Sequence, residues 1–229
     1  MLSFLEASYR DAFVFTQLRY SGEWDPFPDM WGEVISYLTT TTSIKAYPQR
    51  KIVTINEEIF NFPFVWVLGK SAFPPLSGQE IKILRTFFER GGMMFIDDSS
   101  DVVDSRFRQS VKEELAKVFP ERAWREIPIS HAIFRSFYLL RGVSGRRIWR
   151  NHLEGILHGE KYVVVFSAND ISGTWSKDRF GNYLYECIPH RERQRWEAQK
   201  LVINVIMYSL TGTYKGDAVH QPFIERKLQ

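Results

Sequence analysis

Along the chain, short apolar runs alternate with stretches of helical spacing, and that alternation predicts the architecture. Phe13-Val14-Phe15-Thr16-Gln17-Leu18 reads as a first strand, closed by a loop in which Gly22 and Pro26 signal a turn. Asp29 is placed to cap a helix carrying Trp31, Val34, Ile35 and Leu38 inward, until the β-branched run Thr39 to Thr42 weakens it. Lys51 to Ile55 is a compact second strand, Glu57 to Asn61 only a turn or short helix, and Phe64 to Gly69 a third strand apolar enough to be covered on both faces. Ser77 with Glu80 forms a capping-box pattern for a helix that buries Ile81, Leu84, Phe87 and Phe88 and stops at Gly91.

The strand Met93 to Ile96 then runs straight into Asp97-Asp98-Ser99-Ser100-Asp101, where Ser100 or Asp101 is expected to cap a helix burying Phe107, Val111, Leu115 and Val118 before Pro120. Leu153 to Gly159 and Tyr162 to Ser167 are further strands, the second breaking at Ala168-Asn169-Asp170 in the same apolar-to-acidic manner. Between them and the last helix lies Lys177 to Arg195, long for a loop and therefore functional or mobile. The helix from about Arg193 to Leu210 is expected to turn Trp196, Leu201, Val202, Val205, Ile206 and Leu210 to the core and to stop before Gly212. Strands alternating with helices predict an α/β fold, a doubly wound and mainly parallel sheet flanked by helices. Residues 1–212 are expected to form one domain and residues 213–229 a surface tail.

Composition narrows this picture only in places. The balance of 30 Lys plus Arg against 27 Asp plus Glu, interspersed rather than blocked, gives no nucleic-acid signature. A single cysteine, Cys187, excludes an intramolecular disulfide and a multi-cysteine zinc site. No run approaches the roughly 18 apolar residues of a membrane span, and Met1 to Leu5 is too short for a signal-peptide core. Localisation is left open by the sequence, with the periplasm or cell envelope expected if an export signal has been trimmed and the cytoplasm expected otherwise.

In an open parallel sheet, ligands gather outside the carboxyl ends of the strands, which directs attention to Asp97, Asp98, Asp104, Asn169 and Asp170, with the loop holding His131 expected to close over them. Carboxylates held together repel, which raises a pKa for acid or base work or calls for a cation. Asp97, Asp98, His131 and Asp170 therefore form a candidate donor set for a divalent metal ion, with oxygen ligands suiting Mg²⁺, Mn²⁺ or Ca²⁺ and the histidine widening the choice to Zn²⁺ or Fe. The competing reading is structural, with helix caps, solvated charges and a histidine packed in a turn. No Gly-x-Ser-x-Gly elbow occurs, so Ser99 and Ser100 read as caps rather than nucleophiles. Gly69-Lys70-Ser71 reads as a turn, and Arg146, Arg147 and Arg150 as a solvated basic loop.

Taken in order, Leu18-Arg19-Tyr20-Ser21-Gly22-Glu23-Trp24, Phe62-Pro63-Phe64 to Gly69, Gly91 to Asp98, Ile127 to Phe134, Phe166-Ser167-Ala168-Asn169-Asp170 and Asn204 to Gly212 resemble the bacterial family called domain of unknown function 4159. The resemblance implies a flavodoxin-like domain of the class I glutamine amidotransferase-like superfamily, often envelope-associated and linked to MoxR-type ATPases and von Willebrand A-domain proteins. It implies no reaction. Its recurrent positions fall on Asp97, Asp98, Arg108, His131, Asn169 and Asp170. Two departures stand out, Gly69-Lys70-Ser71 in place of Gly-His-Gly and Ser99 in place of a cysteine, and the amidotransferase triad is missing.

The expected function is thus binding of a ligand or protein partner at an acidic site on the carboxyl edge, without amidotransferase activity. Asp97, Asp98 and Asp170 would form its floor, Arg108 and His131 its walls, and Lys177 to Arg191 a lid or docking surface. A metal-dependent hydrolase using the same cluster is the first alternative, and a structural subunit anchored by Trp149 and the rings of Trp175 to Tyr185 the second.

Overall fold

The computed structural model describes residues 12–211; the expected tail, the Gly212 stop and the Met1 to Leu5 segment lie outside the described residues. The strands are β1 (Thr16–Leu18), β2 (Lys51–Val53), β3 (Phe64–Gly69), β4 (Met93–Asp98), β5 (Arg125–Ile127), β6 (Leu153–His158) and β7 (Lys161–Ser167). Four helices join them: α1 (Met30–Thr41), α2 (Gly78–Glu89), α3 (Arg106–Val118) and α4 (Arg191–Thr211). One seven-stranded sheet has the order β2-β1-β3-β4-β7-β6-β5. Its pairings are parallel from β2 to β7, and only β6 runs against the rest.

Every residue of β3 and β4 is buried, as a continuous apolar run requires when both faces of a sheet are covered. Successive side chains alternate between two cores. Phe64, Trp66, Leu68, Met93 and Phe95 pack with residues of α1 and α4, whereas Val65, Val67, Met94 and Ile96 pack with those of α2 and α3. The doubly wound α/β expectation is met.

Local departures have local causes. β1 is shorter than the apolar run, because its ladder to the partner segment closes at Phe13 with Ala46, opens, and closes again at Thr16 with Lys51. Pro48, lacking an N–H, lies in the gap. Helix α1 persists through Thr41, with the hydroxyls of Thr39, Thr40 and Thr41 donating back to the carbonyls of Ile35, Ser36 and Tyr37. The capping box of Ser77 and Glu80 is formed as expected.

The cap of α3 is Ser105, not Ser100 or Asp101, because Asp98 holds the intervening residues in a loop. On α4, Leu201, Val202, Val205 and Ile206 are buried as expected, but Trp196 is 59% and Leu210 40% exposed. Buried Gln194, Arg195, Gln199 and Asn204 occupy the inward side instead, where loop carbonyls need donors.

Candidate functional site

The carboxyl edge is built on the register of the central strands. Leu68 pairs with Asp97 and Gly69 with Asp98, and the Ser99 N–H continues the ladder onto the Gly69 carbonyl. Consecutive residues on a strand point to opposite faces, so Asp97 lies on the α1/α4 side and Asp98 on the α2/α3 side. Two carboxylates that look paired in sequence are separated by the thickness of the sheet.

Each is occupied by backbone. Asp97, fully buried, accepts the N–H groups of Ile171 (3.0 Å) and Ser172 (2.7 Å) and so pins the segment after β7. Burial and the neighbouring Asp170 charge push its carboxyl up to about 7. Asp98 accepts the Ser100 N–H at 3.0 Å and the Ser105 hydroxyl at 2.5 Å, organising the β4–α3 loop. Burial raises its pKa against these hydrogen bonds and the charge of Arg108.

Asp170 adopts a left-handed backbone (φ 51°), which aims its N–H at the Asp98 carbonyl (3.1 Å) and its own carbonyl at the Arg146 N–H (3.0 Å). Its side chain pairs with the Arg146 guanidinium and accepts the Gly173 N–H at 3.1 Å. Burial raises its pKa and Arg146 opposes the rise. Asn169 accepts from Trp149 and Arg150 N–H, both at 2.9 Å, and donates to the Arg150 carbonyl at 2.6 Å. The passing chain is so close that a Cβ on Gly145 would stand 2.1 Å from the Asn169 carbonyl oxygen.

Arg108 reaches the same edge, bridging Glu154 (2.8 Å) and Asp104 (3.1 Å). His131 does not. Its ring stands edge-on to Tyr162 and Tyr208, at centroid distances of 4.9 and 5.3 Å. Tyr162 is the second residue of β7, whereas Asp97 pairs with Ser167 at that strand's far end, so five residues of strand, about 16 Å, separate the histidine from the carboxylates. The wall expected from His131 is corrected to a place in the packing of the opposite edge.

The four expected metal donors therefore do not converge, and no group of three or more His, Cys, Asp or Glu is placed to hold a metal among the described residues. Arg146 likewise differs from a solvated basic loop, being 8% exposed and paired with Asp170 and Asp101. Trp175 is core rather than anchor, packed edge-on to Tyr37. Cys187 is buried, and burial raises its thiol to about 11.

What stands open at this edge is a neighbouring crevice of about 450 Å³, lined by Arg19, Tyr20, Ser21, Trp24, Thr54, Ile55, Phe73, Pro74, Pro75, Leu76 and Glu80. It is lined by residues that follow β1 (Arg19 to Trp24), β2 (Thr54 and Ile55) and β3 (Phe73 to Leu76). Because β2 and β3 flank β1 on opposite sides, the strand order reverses at β1, the switch point where such sheets bind ligands.

The walls are held. Tyr20 Oη donates to the Leu68 carbonyl at 2.7 Å, and its ring meets Phe73 at 4.8 Å. The Phe73 and Leu76 N–H groups are tied to Ser110 (2.7 Å) and Glu114 (2.9 Å) of α3. A Cβ on Gly69 would come within 2.2 Å of Phe107 and 2.4 Å of Tyr20 Oη, so that glycine allows this closeness. Arg19 and Tyr20 were legible as a loop after a strand and as part of the family resemblance, and the switch-point rule gives them a place at a site once the strand order is known.

The profile of the domain of unknown function DUF4159 matches residues 14–210. The chain belongs to the DUF4159 family. No curated protein matches the sequence. In this DUF4159 domain, the Leu18 to Trp24 stretch that carries part of the family resemblance supplies one wall of the crevice, whereas Asp97, Asp98, Asn169 and Asp170 fasten the loops beside it. No helix among the described residues is long and apolar enough to cross a membrane.

Proposed function

We propose that this DUF4159 domain binds a small ligand in the switch-point crevice. The observation that carries the reading is the crevice itself, a concave site of about 450 Å³ at the strand-order reversal, walled by Tyr20, Trp24 and Phe73 with Arg19 at its margin. The rings suit a ligand with a flat apolar body, and the guanidinium suits an acceptor group on it. The buried carboxylates are the frame rather than the floor, since their oxygens already serve Ile171, Ser172, Ser100, Ser105 and Gly173. A metal-dependent hydrolase would need those carboxylates and His131 together, and the register of β4 and β7 keeps them apart.

Thermal-shift screening of a fragment collection rich in aromatic carboxylates tests the reading, with hits remeasured by calorimetry on Ser21→Trp and Arg19→Ala. Hits should lose at least about tenfold in affinity on both variants, while melting temperatures stay unchanged. Hits that bind the variants as well as the wild type, or a screen without hits, would refute it.

A further inference from the structure

A second surface, on the segment after β5, is independent of the crevice. Ile129 and Leu139, 48% and 51% exposed, and buried Phe134 and Leu140 surround a hollow of about 230 Å³ flanked by Arg135 and Arg141, with Phe137, 42% exposed, on the same segment. Scattered exposed apolar residues need no explanation, whereas a concave cluster does. Hydrogen bonds hold the backbone of this segment. The Leu140 N–H bonds the Phe134 carbonyl at 2.8 Å, and the buried Asn204 side chain takes the Phe137 and Tyr138 N–H groups (3.1 and 2.7 Å) and returns a bond to the Tyr138 carbonyl (2.8 Å). A buried asparagine on α4 thus holds large side chains out in water, and that pre-organisation lowers the ordering cost of binding.

The charged residues that line the hollow have one sign. From Ile127 to Gly142 the chain has no Asp, Glu or Lys but carries Arg135 and Arg141, and Lys200 of α4 lies over the Tyr138 ring at 5.4 Å. The lining of the hollow itself, aliphatic and aromatic residues with arginine and neither acids nor lysine, matches the usual core of a protein interface. An element lying on anionic lipid presents a continuous apolar face to the headgroups, whereas this surface is a hollow flanked by two arginines.

We infer that this surface docks a partner protein through an acidic segment that inserts one large apolar side chain into the hollow between Ile129, Phe134, Leu139 and Leu140, with Arg135 and Arg141 meeting its carboxylates. The inserted side chain supplies most of the binding energy, and the arginines select the sign of the segment and speed encounter.

Selection of random dodecapeptides displayed on phage against the full chain, with Leu139→Asp/Arg141→Glu as counter-target, tests the inference. Both replaced side chains are exposed, so the variant should keep its melting temperature, and Arg141→Gln serves as a milder second variant. The expected peptides are enriched in Asp and Glu around a Leu, Ile, Met or Phe. By fluorescence anisotropy they should lose at least about tenfold in affinity on the double variant and less on Arg141→Gln. Failure to select peptides that discriminate the variant overturns the inference, as does selection of basic or uncharged ones. So does self-association in sedimentation that the double variant abolishes, or co-flotation with phosphatidylglycerol vesicles that it abolishes.

Discussion

Replacing Asp97 by Asn tests whether this carboxyl is structural and how its charge is tolerated. The wild-type side chain accepts two buried backbone N–H groups, from Ile171 and Ser172, and the amide can accept only one while presenting its NH₂ to the other. Leaving one buried N–H unsatisfied costs about 1–3 kcal/mol. The cost should depend on pH. Asp97 rises from 3.8 when unfolded to about 7 when folded, through burial and Asp170, so the folded state holds the proton more tightly.

By linkage, that stabilisation is present at low pH and is lost as pH rises through the window from about 4 to 7. For these two values the loss between pH 5 and pH 7 is about 2 kcal/mol, and the asparagine variant escapes it. Urea unfolding followed by tryptophan fluorescence at pH 5, 6 and 7 should therefore show the variant clearly less stable at pH 5, with the gap narrowing toward pH 7. Other carboxylates cancel in the difference between the two proteins, apart from Asp170, whose charge acts on Asp97. A gap that is constant with pH, or that widens, would show that Asp97 is ionised throughout and would refute the reasoning.

Three further outcomes follow from the same geometry. Ser105→Ala removes both the α3 cap and the Asp98 partner and should cost about 1–2 kcal/mol in urea unfolding, with faster amide exchange in the first turn of α3. Gly145→Ala drives a Cβ against the Asn169 backbone and should destabilise by more than about 3 kcal/mol, whereas Gly142→Ala, with nothing within 4 Å, should be nearly neutral in thermal melts. Asn204→Ala strips partners from Phe137 and Tyr138 and should cost about 2–4 kcal/mol, with weakened peptide binding at the hollow.

The strands β3, β4 and β7 were legible because each is a contiguous apolar run, and contiguity survives in one dimension. The Ser77 and Glu80 capping box is equally local, its partners three residues apart. Ser105 was missed as a cap because nearer polar residues looked equally suitable until Asp98 claimed the loop. His131 and Asp97 seemed ready to meet only because sequence does not say which end of β7 a returning loop will touch.

The sequence by itself determined the layers, since the period of its apolar positions selects strands covered on both faces and helices covered on one. It also determined that acidic residues follow β4 and β7. Tertiary structure alone decided what those acids do, where the crevice opens, and that Trp196 faces outward while Arg146 is buried. The physical reason is that a hydrogen-bond partner distant in sequence leaves no periodic trace. Whether a carboxylate is a ligand or a clasp depends on which backbone N–H groups the fold brings to it, and Ile171 and Ser172 reach Asp97 only when β7 lies beside β4.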